Sequence, residues 1–487
     1  MGIALLASAS GAGAAGAQGA SDGWPQFQGG PTHPGSAPDG PRPPFREVWF
    51  LEARPGGPTG TMGLSAPVAA DDTVVVLAPD AVIALGPDGA DRWRIDRRPG
   101  PTVAPAIVGS GPDALVVFPE GFGPNAPGLT PSPSPSPTAS STPGGSSPTP
   151  TAAGAPVELV AVALADGSER WRTPLPAASR SGVTATEGAL YVAGTDGSVS
   201  ALDPAAGAIR WSVRVGGSII APIAATEDRV LVSALGSAQA RFSLVALDPA
   251  DGRVLWRYEP PGASTLGSAV AADEELAYLG LEDRTVRAVA LDDGVERWSA
   301  RLNAVVNPLA SPVLVDDAVV VVDIGGQVYR LRRGDGVRLW DHALNVGVLR
   351  GPAVVSDRYV LVASSQGELL AVELDGGELV WRASLATGVL RSLAVTDDLV
   401  LAIRGGARSG LVALAHDEGG SLIRVQSPTV FRPRELGIGL VLGALPAALA
   451  ALGIGVLVRR RLGSGAEELQ PVVDPLEGGL EGGEVGS

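Results

Sequence analysis

The sequence has 487 residues, a formal net charge of −16 and a hydrophobic share of 45%. That share supports folded domains, and the acidic balance excludes a general attraction to nucleic acid or acidic lipid. Cys and Lys are both missing, which excludes disulfides, thiolate metal sites, a cysteine nucleophile, a phosphate-loop lysine and a Schiff-base lysine.

Residues 1–20 are apolar and small, with an Ala-x-Ala-like site at Ala15-Gly16-Ala17, and read as the end of a secretory signal. Residues 21–44 form a lead-in that contains WPQFQGGPTHPG, Trp24 to Gly35. From 45 to 428 the chain repeats. Each unit has two short antiparallel strands, as in SAPVAADDTVVVLA (Ser65 to Ala78). An apolar strand, a tight turn and a Trp-bearing strand follow, as in ALDPADGRVLW (Ala246 to Trp256). Gly supplies the positive φ that such a turn requires.

The Gly/Trp pairs are Gly89/Trp93, Gly167/Trp171, Gly207/Trp211, Gly252/Trp256, Gly294/Trp298, Gly336/Trp340 and Gly377/Trp381. From Trp171 onward they recur about every 40 to 45 residues, a spacing that marks propeller blades. An eighth turn keeps Gly419 but places Ile423 where Trp is expected, and upstream Trp49 lies in a Trp-type strand with no hairpin before it. The expected fold is all-β: an eight-bladed propeller of four-stranded antiparallel blades. Its last blade is completed either by the strand around Trp49 or by the strand near Ile423. Because the Trp recurs in nearly every blade, it is read as a docking residue between blades rather than a ligand platform.

Blade two is interrupted at 122–156 by a Pro/Ser/Thr-rich insertion, which is expected to stay unfolded and extended. It enters between a second and a third strand. The chain is expected to leave the last blade from an outer strand on that same face, which puts this arm and the stalk at 429–435 on one, membrane-proximal side. Residues 436–458 are uncharged, long enough to span a bilayer as a helix, and followed by Arg459, Arg460 and Arg461. The acidic tail at 459–487 is then cytoplasmic and disordered.

The ALDPADGRVLW element and the WPQFQGGPTHPG lead-in resemble the quinoprotein-like, or PQQ-repeat, propellers over about residues 24 to 428. Dehydrogenases of that family hold pyrroloquinoline quinone and calcium on the ring axis, many beside a cysteine pair, and that pair is absent here. The short blades look like those of binding-only members. These include the periplasmic lipoprotein of the outer-membrane assembly machine and the sensor domains of some receptor kinases.

Other chemistry is sparse. His33, His342 and His416 occupy different repeat positions, which argues against a shared metal site. Asp88, Asp166, Asp251, Asp293, Asp335 and Asp375 adjoin turn glycines and are read as turn formers. Arg94, Arg172, Arg257 and Arg382 follow Trp and are expected on solvated outer strands. The sequence therefore points to a non-enzymatic, membrane-anchored, extracytoplasmic propeller without a cofactor. Its partner is expected to be an extracytoplasmic protein or a cell-envelope ligand. The alternatives are a quinone-dependent dehydrogenase and a binder of cell-wall glycan.

Overall fold

The computed structural model describes residues 23–53, 63–122, 156–236, 241–262, 264–346, 351–385, 388–406 and 408–422. The signal-like segment, nearly all of the insertion, Ile423, the stalk, the apolar segment 436–458 and the tail lie outside the described residues. Among the described residues no helix is long and apolar enough to cross a membrane.

Eight antiparallel sheets follow one another in the chain, each built around four strands. In blade 3 these are Ser179–Ala185, Leu190–Gly194, Ser198–Leu202 and Ile209–Arg214, from axis to rim. The inner three strands are buried runs of Val, Leu, Ala and Ser, because both of their faces are covered by neighbouring blades. Fourth strands alternate instead. Asp91–Asp96 reads DRWRID and exposes its charged residues at the rim. Such charges protect an outer edge against pairing with another chain.

The core is divided into seams between blades. In the seam between blades 3 and 4, Tyr191, Val199 and Trp211 pack against Val230, Val232, Val245 and Leu247. Each seam is locked by one indole. The ring of Trp171 lies on the hairpin of the next blade, and a Cβ on Gly207 would fall 2.4 Å from its Cε3. The indole N–H of Trp171 donates to the Pro204 carbonyl of that hairpin at 3.0 Å. The same clasp joins Trp49 to Gly89, Trp93 to Gly167, Trp211 to Gly252, Trp256 to Gly294, Trp298 to Gly336 and Trp340 to Gly377. Gly207 thus meets two demands, a φ of 67° and the absence of any side chain under the ring.

Blade 8 is completed by the upstream strand. Phe45–Glu52 pairs antiparallel with Gly410–His416, with Trp49 opposite Ala413. Trp49 then clasps blade 1, its N–H donating to the Pro87 carbonyl at 2.8 Å, and the wheel closes. This closure corrects two expectations. Gly419 closes no Trp hairpin, since the strand expected after it is replaced by Phe45–Glu52, and it has no positive φ. Trp381 accordingly meets the edge of Phe45 at 5.2 Å between ring centres instead of a hairpin glycine.

The second correction concerns direction. The chain leaves the ring from the third strand of blade 8, not from an outer strand. The amide of Asp417 donates to the Pro44 carbonyl at 2.8 Å, at the end of the ring that carries the third-to-fourth hairpins. The insertion enters between Leu115–Glu120 and Glu158–Ala163, the second and third strands of blade 2, at the opposite end. The arm and the C-terminal exit therefore leave from opposite faces.

The clasp predicts a sharp contrast between two hairpin glycines. Gly207→Ala should destabilise the ring by about 1–3 kcal/mol, from strain and the clash with Trp171. Gly376→Ala, whose Cβ would have no atom nearer than 3.6 Å, should be close to neutral. Denaturant unfolding of both variants checks this, and equal effects would refute the clasp.

Candidate functional site

In a propeller the axis is the natural place for a ligand, so its two ends decide what can bind. One end is closed by the chain itself. Gly23–Trp24 adds to blade 1, opposite Ala70 and Ala69. The next residues then visit every other inner strand in turn. The amides of Ile107, Ala225, Ala272, Leu314 and Val355 donate to the carbonyls of Pro25, Pro31, Thr32, Pro34 and Gly35, at 2.7 to 2.9 Å. In blade 3 the Gln26 side chain both donates to the Ala185 carbonyl and accepts from its amide, at 2.9 and 2.8 Å. Gln28 donates to Ser311 Oγ and the Ala353 carbonyl. Gly40 lies against Val395 of blade 8.

His33 sits at the centre of this plug. It is 1% exposed, its Nδ1 lies 2.6 Å from the Val270 carbonyl, and Phe27 meets its ring edge-on at 4.9 Å. Burial pushes its pKa down to about 4, against the opposing pull of the Val270 and Ile223 carbonyls. It is therefore a neutral structural residue. His342 is buried in the outer strand Arg338–Ala343, and His416 Nδ1 lies 2.8 Å from the Arg42 carbonyl. The structure brings no two of the three histidines together. Among the described residues no group of three or more His, Asp or Glu is placed to hold a metal ion.

The other end of the axis is bordered by the second-to-third turns and the connections between blades. Its carboxylates serve their own turns. Asp323 accepts from the amides of Ala304, Gly325 and Gln327 and from the Tyr329 hydroxyl. Asp196 accepts from the amide and hydroxyl of Ser198 and pairs with Arg214, and Asp283 accepts from Thr285 and pairs with Arg287. The eight inner strands carry no Asp or Glu. They bring Arg180 and Arg391 instead, on blades 3 and 8. This donor set does not fit a calcium-held quinone, whose metal calls for carboxylate oxygens.

The turn aspartates follow the local chemistry expected of them. Asp88, Asp166, Asp251, Asp293 and Asp335 each accept from the amide two residues on, while Asp375 pairs with Arg330 and Arg358. The arginines after Trp lie on outer strands, but with partners. Arg94 pairs with Asp91, Arg257 donates to Ser243 Oγ and the Val215 carbonyl, and Arg382 pairs with Glu368. Arg172 belongs to a network at the root of the insertion. It reaches Glu169, Glu120 and Glu158 at 2.8, 2.6 and 3.0 Å, and Arg98 meets Glu158 at 2.6 Å. These bonds, that to Glu169 foremost, raise the Arg172 pKa further.

A cavity of about 400 Å³ lies away from the axis, at the plugged end between blades 5 and 6. Asp273, Glu275, Asp317, Arg332 and Arg333 line it, and Arg333 and Asp273 approach within 3.5 Å across it.

With this geometry the chain can be set beside known proteins. The family model for outer membrane protein assembly factor BamB, a PQQ-type repeat, matches residues 157–327 and 324–429. The chain belongs to this family. BamB of Shewanella oneidensis is 25% identical over 174 residues, 33% of this chain and 42% of the relative. BamB of Moranella endobia is 30% identical over 219 residues, 42% of this chain and 54% of the relative. The chain thus spans about half the length of the curated BamB relatives it matches. The crystal structure of BamB from Moraxella catarrhalis superposes with a TM-score of 0.53 at 16% identity, over 78% of this chain and 99% of that one. The quinohemoprotein alcohol dehydrogenase ADHIIG from Pseudomonas putida HK5 superposes at 0.59 with 11% identity, over 85% of this chain and 82% of that one. Both structural likenesses concern the fold alone.

Two features of the site escaped the sequence reading, the axial plug and the two inner-strand arginines. The plug works through backbone carbonyls, which leave no residue signature. The arginines did leave one, a positive charge in stretches otherwise made of small and apolar residues.

The buried neutral His33 makes stability depend on pH. Below about pH 6.5 the unfolded chain takes up a proton that the folded ring refuses, so stability falls as pH drops toward about 4, by about 3 kcal/mol from this group. Denaturant midpoints across that range should fall less steeply in His33→Gln than in wild type. The residual slope is expected from His342, whose pKa burial also lowers.

Proposed function

We propose that this chain is a non-catalytic scaffold of the cell envelope, held outside the cytoplasm by the apolar segment 436–458. Its open axial face is presented to a protein partner. The observation that carries this reading is the division of the two faces. The plug and the C-terminal exit share one end of the ring, and the insertion root and the open axis share the other.

Three further points support it. Membership of the BamB-type family favours a protein-binding task, since the relatives' name places them in outer membrane protein assembly. The inner strands favour a role without a calcium-held quinone. Leu266 and Leu309 stand 39% and 47% exposed on adjacent inter-blade connections of the open face, joined by the bond from the Ala269 amide to the Pro308 carbonyl. Exposed leucines on one face suit contact with a protein surface.

The cysteine-free sequence makes the test clean. Single cysteines replacing Leu309 on the open face and Asp317 on the plugged face carry a photo-cross-linker in the full chain in cells. The Leu309 handle should capture a discrete protein and the Asp317 handle should not. Capture from Asp317 alone would reverse the assignment of faces, and labelling of either site only after membrane lysis would remove the chain from the outside.

A further inference from the structure

In six of the seven clasps the carbonyl that receives the indole N–H belongs to Pro or Leu: Pro87, Leu164, Pro204, Pro249, Leu291 and Leu374. In the seventh, the acceptor for Trp298 is Arg333. The leucines at this position are buried in the apolar seam behind them, whereas Arg333 reaches into the cavity between blades 5 and 6. A second position changes with it. In blades 3, 4 and 8 the first-to-second turn opens on Thr186, Thr226 and Thr396, each with its amide on the carbonyl three residues on; in blade 5 the same bond is made by Asp273. The ring holds a neutral version of this seam. Between blades 3 and 4, Tyr191 tilts against Trp211 as Tyr278 tilts against Trp298 here, but the two varied positions are Thr186 and Pro249. A seam of this shape therefore folds without Asp273 and Arg333.

The charged pair does little for stability. Arg333 Nη1 and Asp273 Oδ2 meet in a single contact at 3.5 Å, the outer limit of a hydrogen bond, with 30% and 19% of their side chains exposed. Among the described residues Nε and Nη2 of Arg333 have no partner. Asp273 is held from its own blade: Oδ1 accepts from the amides of Glu275 and Leu276, and Oδ2 from the Tyr278 hydroxyl at 2.7 Å. Burial, and then Asp273, raise the Tyr278 pKa, so this hydroxyl stays a donor. Of the remaining charges, Arg332 is taken by Asp335 at 2.8 Å, and Asp317 has only Arg330 at 3.9 Å. Glu275 is exposed, and its carboxylate has no partner among the described residues. The cavity thus offers one guanidinium fork and a surplus of carboxylates. A simple anion would meet that surplus, and a simple cation would gain nothing from Arg333 in place of Leu or Pro. A ligand with one carboxylate and two cationic groups satisfies both sides, since the fork donates two parallel bonds to a carboxylate. The volume of about 400 Å³ lies in the range of small-molecule sites.

We propose that the cavity between blades 5 and 6 binds a free basic amino acid of the lysine or arginine type, its carboxylate on the fork of Arg333 and its cationic groups on Glu275 and Asp317. Asp273 is a positioning residue that aims Arg333. The site lies at the plugged end, so it stands or falls separately from the docking role of the open face.

Isothermal titration of L-lysine into the full chain in detergent tests it, beside cadaverine, which lacks the carboxylate, and L-glutamate, which reverses the side-chain charge. L-Lysine should bind with millimolar affinity or better, and the other two at least about tenfold more weakly. Arg333→Leu installs the residue that blades 2, 5 and 7 already carry, so the melting temperature should hold. Its affinity for L-lysine should fall to that for cadaverine, while cadaverine binds as it does to wild type. Glu275→Gln should weaken L-lysine and cadaverine alike; if Arg333→Leu melts early, Glu275→Gln decides, and unchanged L-lysine affinity there overturns the site. Absence of L-lysine and L-arginine binding also overturns it. So does cadaverine binding as tightly as L-lysine, since the acids then attract any cation, or L-glutamate doing so. Unchanged L-lysine affinity in a folded Arg333→Leu does the same.

Discussion

The indole of one blade lying on the hairpin glycine of the next is the contact on which the ring depends. A four-stranded sheet of this size has two apolar faces and cannot bury either alone. Neighbouring blades cover them, but sheet packing by itself allows sliding. The indole removes that freedom twice over. Its ring fits only where a residue has no side chain, and its N–H reaches a single carbonyl of the adjacent turn. Seven clasps of this form run in one direction around the wheel, from each blade to its successor. The eighth seam departs from the rule because the chain begins and ends there, and Phe45 takes the place of the missing hairpin against Trp381.

That contact also explains how much of the fold was legible in the sequence. A clasp needs Trp and Gly at a fixed separation, so the period is written in two residue types that rarely substitute. The closing blade was ambiguous because Gly419 and Trp49 each retained half of the signal. Backbone pairing resolved it in favour of Trp49, opposite Ala413. The consequence for the exit face could not be read from residues at all, because it depends on which strand comes last in space. The plug was invisible for a related reason. Trp24 to Gly35 could be identified as a lead-in, but its task is to offer carbonyls to the inner strands, and every residue type has a carbonyl.

The plug meets a physical need that the clasps leave open. An innermost strand has a neighbour on its outer side only, so its axial edge presents unpaired amides in a narrow space. At one end of the axis the lead-in supplies an acceptor to blade after blade, and the small residues of those strands let it come close. Its polar side chains are spent in the same way, Gln26 and Gln28 on backbone groups and His33 on a carbonyl. A histidine so placed is held neutral by burial, and the stretch from Trp24 to Gly35 carries no other titratable side chain.

The repeat also determines where individuality is possible. Residues of the third and fourth strands and the hairpin between them are committed to the clasp, and a change there costs ring stability. The second-to-third turns, the connections between blades and the open ends of the inner strands carry no such duty. Apart from the closing seam and the cavity that Arg333 enters, the departures from the repeat fall in that set: the insertion in blade 2, Leu266 and Leu309 on the connections, and the bulged arginine strands of blades 3 and 8. All of them lie at the end of the axis away from the plug. A wheel whose blades are nearly interchangeable thereby acquires two unlike faces, one built for closure and one left free to vary, and recognition can evolve on the second without loosening the first.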